Sequence, residues 1–250
     1  MTSRKVSPPT PPDVLRGVPR TVVRALETSD ALRSALAARK SDSGLGSVIA
    51  WGGLESYFQA AKRQQHRMER AKTTLLRSRS TRTRLLFDEV HFYLICWARI
   101  AKLGRFIAHA TRFRRTGLVL RRYHAELKDR IDARDHLEHF EERLPGGSRR
   151  DRLAIPGDLL NMHGDFLTYG GQRVDIGPAS IRLLRGIVTE FRAAVLFDSI
   201  EALAAADPNR VGGLLRRAAS TVRLARSMKQ VRGLVTSPRA NAADTAEQPV

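Results

Sequence analysis

Six consecutive residues, Arg134, Asp135, His136, Leu137, Glu138 and His139, place a guanidinium, two carboxylates and two imidazoles within two helical turns. A guanidinium forks onto phosphate through parallel hydrogen bonds, and an imidazole carries protons near neutral pH. Asp135 stands four residues before His139, and Asp132 four before His136, so either carboxylate can orient its imidazole and favour the protonated form. Glu138 stands four after Arg134. That spacing allows two readings: a pair held in the core and bridged to Asp88 or Glu89 of another helix, or charges opening onto a cleft or dimer interface where a substrate phosphate meets Arg134. The spacing of His136, His139 and Glu142 also permits metal coordination, but no second ligand cluster accompanies it, so neither metal nor other cofactor is expected.

The helix that carries these groups spans residues 117–144 by its pattern. Leu120, Tyr123, Leu127 and Ile131 form an apolar stripe, and Arg134 and Glu138 interrupt it. His139 lies about 140° around the helix from Arg134, so the two meet only on a ligand at the helix flank.

The charge balance names a class of partner. Lys and Arg total 44 against 25 Asp and Glu, a net charge of +19, and 37 of the 44 are Arg. Such an imbalance suits a polyanion, RNA first and DNA as an option, although a GC-rich coding sequence also enriches Arg without functional cause. The charge is concentrated in two runs. Residues 62–84 carry nine Lys or Arg against one Glu, with Arg63, Arg67, Arg70, Arg77, Arg79 and Arg82 as candidate phosphate contacts, and residues 207–232 carry seven against one Asp. The competing reading is a pair of solvated faces that keep the protein in solution.

Several classes find no support. The chain has no phosphate-binding Walker loop, GxGxxG, HExxH, GxSxG or paired CxxC motif, which leaves nucleotide-fuelled, zinc-protease and hydrolase-elbow chemistry without a signature. The glycine pairs at 146–147 and 170–171 fit a helix stop and a turn. Cys96 is the single cysteine and sits in an apolar run, so it reads as a small buried hydrophobe in a reducing compartment. The first twelve residues hold no apolar export segment, and the longest apolar run, residues 92–98, falls far short of the roughly 20 residues that span a bilayer. A cytoplasmic protein with no membrane partner is expected.

The elements point to an all-α protein: an up-and-down bundle of four long helices with a short β-hairpin insertion and a flanking C-terminal helix. Residues 1–45 are expected to form a disordered Pro-rich tail plus a short helix over 21–38, closed by the breaker at 41–46. Residues 46–235 form a single helical domain, and 236–250 a disordered tail. One helix begins near Leu54 with Tyr57, Phe58, Ala61, Met68, Ala71 and Leu75 on one face. A second, over 83–110, is apolar nearly all round through 92–101 and belongs at the bundle centre. Residues 111–116 make a turn, and 145–164 a loop. Two strands at 166–169 and 172–176 make a hairpin within about 165–177. The fourth helix runs 178–206 from Pro178, and a last basic helix carries Val211, Leu214, Leu215, Val222 and Leu224.

In Arg134, Asp135 and His139, set near the end of a long bundle helix, the chain resembles the HEPN family of higher eukaryotic and prokaryotic nucleotide-binding proteins, whose helical bundles carry an Arg, four to six residues, then a His, with a polar residue after the Arg. Two further matches, Arg84 to His91 and Arg130 to His136, bring the total to the three expected by chance, and it is the context of the last match that singles it out. Many catalytic members have Asn where this chain has Asp135. The resemblance implies metal-independent RNA cleavage of a toxin, phage-defence or RNA-processing type. His139 would then be general acid or base and Arg134 the group that steadies the phosphorane-like transition state, with His136 secondary. It also implies a homodimer and allows an antitoxin-type protein partner. The alternative is a non-catalytic nucleic-acid-binding or protein-interaction bundle.

Overall fold

A computed structural model describes residues 42–73, 79–111, 113–138, 162–169, 172–207, 211–216 and 218–220, with the single positions 21 and 209. The chain is all-α with one small sheet: α1 Asp42–Thr73, α2 Arg79–Thr111, α3 Arg114–Arg122, α4 His124–Glu138, β1 Met162–His163, β2 Phe166–Tyr169, β3 Gln172–Asp175 and α5 Pro178–Ala206. Helical backbone resumes over 211–216 and 218–220, where Val211 and Ala218 are buried and Leu214 and Leu215 half-buried. Val222, Leu224, most of the helix expected over 21–38 and both expected tails lie outside the described residues, apart from the helical backbone at 42–45.

The breaker expected at 41–46 is instead the first turn and a half of α1. The glycines were read as a stop, but at least one serves contact: a Cβ on Gly46 would lie 3.4 Å from the Phe106 ring. On the same helix a Cβ at Gly53 would come 3.2 Å from Leu103. These two contacts run in opposite chain directions, so α1 and α2 are antiparallel. Gly104 repeats the device on α2, with Leu120 and Phe191 at 3.3 and 3.4 Å from a notional Cβ. Missing side chains let the helix axes approach closely.

Trp51, Leu54, Met68, Tyr93, Leu94, Trp97 and Ile107 are fully buried, and α5 joins them through Leu184, Val188, Phe191 and Val195. Each such side chain contributes about 1.5 to 3 kcal/mol by leaving water. The Trp51 and Phe191 rings stack at 6.3 Å, locking α1 to α5, and Arg192 holds Glu55 through Nε at 2.6 Å and Nη2 at 2.5 Å. The α2 centre is buried as expected, with the correction that Phe92 is 46% exposed. Phe92 shares the solvent side of α2 with Leu85, Asp88 and Arg99, all exposed.

The third long helix is in fact two. Tyr123, at φ −99° and ψ 20°, ends α3, and α4 starts one residue later. The expected turn at 111–116 shrinks accordingly, because α3 already begins at Arg114. The interruption is tied down from α5: Glu190 accepts the Tyr123 hydroxyl at 2.6 Å and pairs with Arg122. The start of α3 is held in the same way. Its N-cap, Phe113, offers no side-chain acceptor. The buried carboxylate of Asp198 on α5 takes that role, accepting Thr116 N at 3.0 Å, Thr116 Oγ1 at 3.1 Å, Arg115 N at 3.3 Å and Arg115 Nη1 at 3.2 Å.

The sheet has three strands in the order β1-β2-β3, all antiparallel, one more than expected. Met162 and His163, placed in a loop by the sequence, pair with Leu167 and Phe166 across a two-residue turn in which Gly164 takes φ +58°. That left-handed value is cheap for glycine. Leu167, Val174 and Ile176 pack into the core, and Asp165 binds Lys72 of α1 at 2.5 Å. Pro178 opens α5 as expected.

Burial shifts three acids in one direction. Desolvation pushes the Cys96 thiol up to about 11, and the Tyr93 and Tyr123 phenols up to about 12. The unfolded chain releases these protons near 9 and 10, while the folded chain retains them. Their contribution is therefore complete below pH 9 and is lost as pH rises toward 11 to 12. Urea denaturation at pH 8 and pH 10.5 is expected to give a lower midpoint at the higher pH, and equal midpoints would contradict this.

Candidate functional site

The guanidinium that enters the core is that of Arg130, not Arg134. The buried face of α4 is Leu127, Arg130, Ala133 and Leu137, in phase with the buried Thr116 and Val119 of α3. Relative to the uninterrupted stripe this face is turned by about 75°. Arg130 is 7% exposed and lies over the Trp97 ring at 4.8 Å, with Nη1 donating to the Glu126 carbonyl at 3.1 Å. Desolvation pulls its pKa below the usual arginine range. Among the described residues, Nε of Arg130 has no hydrogen-bond partner. The cation is steadied by an aromatic face in place of a carboxylate.

Arg134 sits at the edge of the buried face, its side chain 27% exposed. Asp135 and Glu138 both pair with it, Glu138 Oε2 at 3.2 Å from Nε. The other Glu138 oxygen faces His91 Nε2 of α2 at 3.8 Å. The pair expected at i,i+4 therefore exists and does bridge to α2, but through His91 rather than Asp88 or Glu89. Four of the groups lie together: Arg134, Asp135, Glu138 and His91. His136 is half-buried on the same helix, and His139 lies outside the described residues. His91 was visible in the sequence only as the end of the Arg84 match. Nothing in the spacing within α2 says that α4 crosses there.

This cluster is poor as an anion receptor at rest. Two carboxylates already neutralise Arg134, so an incoming phosphate must displace them. Among the described residues, no group of three or more His, Cys, Asp or Glu could hold a metal ion. The gap lined by Leu54, Ile100, Gly104, Leu127 and Phe191 is only about 10 Å³, about the reach of one water, and it is wholly apolar. Burial keeps Cys96 a thiol at neutral pH, which removes it as a nucleophile. No helix among the described residues is long and apolar enough to cross a membrane.

The outer face of α1 is different. Arg63, His66, Arg67 and Arg70 recur at three and four, so they share one stripe about 100° wide, and all four are exposed. Neither Arg63 nor Arg67 forms an ion pair among the described residues. The nearby acid on the helix, Glu69, is taken by Lys72 at 2.8 Å and accepts Gln65 at 2.9 Å. The core side of the same turns carries Ala61, Gln64, Gln65 and Met68, all buried, which fixes the stripe outward. Arg77 and the side chains of Arg79 and Arg82 lie outside the described residues.

No family model matches the chain, and neither the curated proteins nor the solved structures contain a match. The HEPN resemblance rests on Arg134, Asp135 and His139.

Proposed function

We propose that this chain is a nucleic-acid-binding helical bundle whose contact surface is the basic face of α1. The observation that carries the reading is the outward stripe of Arg63, His66, Arg67 and Arg70, with Arg63 and Arg67 free of carboxylates among the described residues. Guanidinium groups held on a rigid helix meet phosphates without first losing a partner, and the net charge of +19 draws a polyanion from a distance. RNA is the favoured partner, with DNA as the alternative. Titration of the full chain into labelled single-stranded RNA tests the reading. Saturable binding at low salt supports it, and no binding there removes it.

A second reading, a HEPN-like metal-independent ribonuclease acting as a homodimer, is favoured by one contact, His91 against Glu138 beside Arg134. In that chemistry a base takes the proton of the ribose 2′-OH as its oxygen attacks the adjacent phosphorus. An acid returns a proton to the departing 5′-oxygen, and Arg134, once freed from its carboxylates, offsets charge on the five-coordinate phosphate. His139 and His91 are the candidate proton carriers. RNA cleavage in EDTA is measured for wild type, His91→Ala, His139→Ala and Arg134→Ala, beside thermal melts. The ribonuclease reading expects Arg134→Ala and one of the two histidine variants to lose cleavage at nearly unchanged melting temperature, since a part-exposed ion pair is worth only about 1 kcal/mol or less. An inactive wild type on a broad RNA panel leaves the binding function alone.

A further inference from the structure

The chain reverses direction between α2 and α3, and basic side chains from both helices come together there. Arg105 and His109 come from the last turns of α2 and Arg114 and Arg121 from α3, with Phe113 and Gly117 beside them. Together they line an open depression of about 400 Å³, within the range of small-ligand sites. All four basic side chains are exposed, and among the described residues no carboxylate lines the depression and none of the four forms an ion pair. Arg114 lies within electrostatic reach of Glu201, but Arg115 already holds that carboxylate at 2.5 Å. The N-terminal amides of α3 do not make this site, because Asp198 consumes those of Arg115 and Thr116.

Gly117 opens the middle of the depression. The Arg121 Nη1 atom lies 3.8 Å from where a Cβ at 117 would stand, so the guanidinium rests over bare backbone. Like charges gathered in one concavity repel when it is empty and are stabilised by a compact anion that touches several of them at once. We propose that this corner binds multiply charged phosphate groups: a di- or triphosphate, either free or at the end of a larger molecule. The site is independent of the α1 stripe. Gly46 of α1 packs beside Phe106, so the corner lies at the start of α1, some twenty residues from His66, which is about 30 Å along the helix axis.

Calorimetric titration of the full chain with tripolyphosphate, pyrophosphate and inorganic phosphate tests the proposal. The expected result is saturable one-to-one binding that tightens with phosphate number. Arg114→Glu combined with Arg121→Glu should weaken tripolyphosphate by about tenfold or more, while Arg63→Glu with Arg67→Glu changes it by less than about twofold. Arg105→Gln, a neutral change on an exposed residue, should weaken it in the same direction and guards against a variant that does not fold. Comparing 5′-triphosphate RNA with 5′-hydroxyl RNA separates the sources. A preference for the former that vanishes in the Arg114 and Arg121 variant assigns the RNA end, and no preference assigns the free anion. Absence of saturable tripolyphosphate binding, or equal losses in the two double variants, overturns the site. Absence of RNA binding by the wild-type chain, with tripolyphosphate binding present, removes the α1 reading and leaves this one standing.

Discussion

Replacing Asp198 with alanine is expected to lower the unfolding free energy by about 3 to 5 kcal/mol, and with asparagine by roughly half as much. The carboxylate is 5% exposed and answers two backbone amides, one hydroxyl and one guanidinium at the start of α3. Those amides sit at the second and third positions of the helix, where a capping oxygen normally comes from the N-cap side chain, and Phe113 has none to give. The negative charge also meets the positive end of the α3 dipole. Alanine strands the two amides and the Thr116 hydroxyl, while Arg115 keeps Glu201. Asparagine keeps one acceptor and loses the charge, so its smaller loss separates the capping hydrogen bond from the electrostatic part. Urea denaturation followed by circular dichroism checks both variants, and a change under about 1 kcal/mol for alanine would contradict the role assigned to Asp198.

Arg63→Glu together with Arg67→Glu is expected to weaken single-stranded RNA by about 10- to 100-fold near 0.1 M salt. Each change removes a phosphate contact and sets a repulsive charge in its place. The fitting control is Arg182→Glu with Arg185→Glu, two exposed residues of α5 whose reversal alters the net charge by the same amount. Arg192 is unsuitable there, because its reversal would press a carboxylate against Glu55. Binding by the control should change by no more than about threefold. Equal losses would mean that only the total charge matters.

Much of the architecture was legible. Pro178 and the apolar period after it gave both ends of α5, and the alternation around residues 166–175 gave the hairpin. What escaped were features decided by partners distant in sequence. Tyr123 carries no breaker signal. Its break is held by Glu190, 67 residues on. The stripe drawn through Leu120, Tyr123, Leu127 and Ile131 gave the buried position to Arg134, when it belongs to Arg130, whose guanidinium rests on the ring of Trp97 in α2. Asp198 stood in the sequence as a lone acid within an apolar run, and the matching clue, a helix start at Arg114 without a capping side chain, lay over 80 residues earlier. The glycines near residue 46 signalled a stop because propensity is local, whereas their use in close packing depends on Phe106. The basic face of α1 was readable because like residues at three and four need no tertiary partner to share a face.

The most direct test of the α1 account is the salt dependence of RNA binding by the wild-type chain, read from anisotropy titrations between 50 and 300 mM KCl. Phosphate contacts by three or four cations release counterions, so log K should fall linearly with log salt at a slope of about −2 to −3, and Arg63→Glu with Arg67→Glu should flatten it by about 1.4. Binding that ignores salt, or a slope unchanged in the double variant, would contradict a nucleic-acid surface on α1.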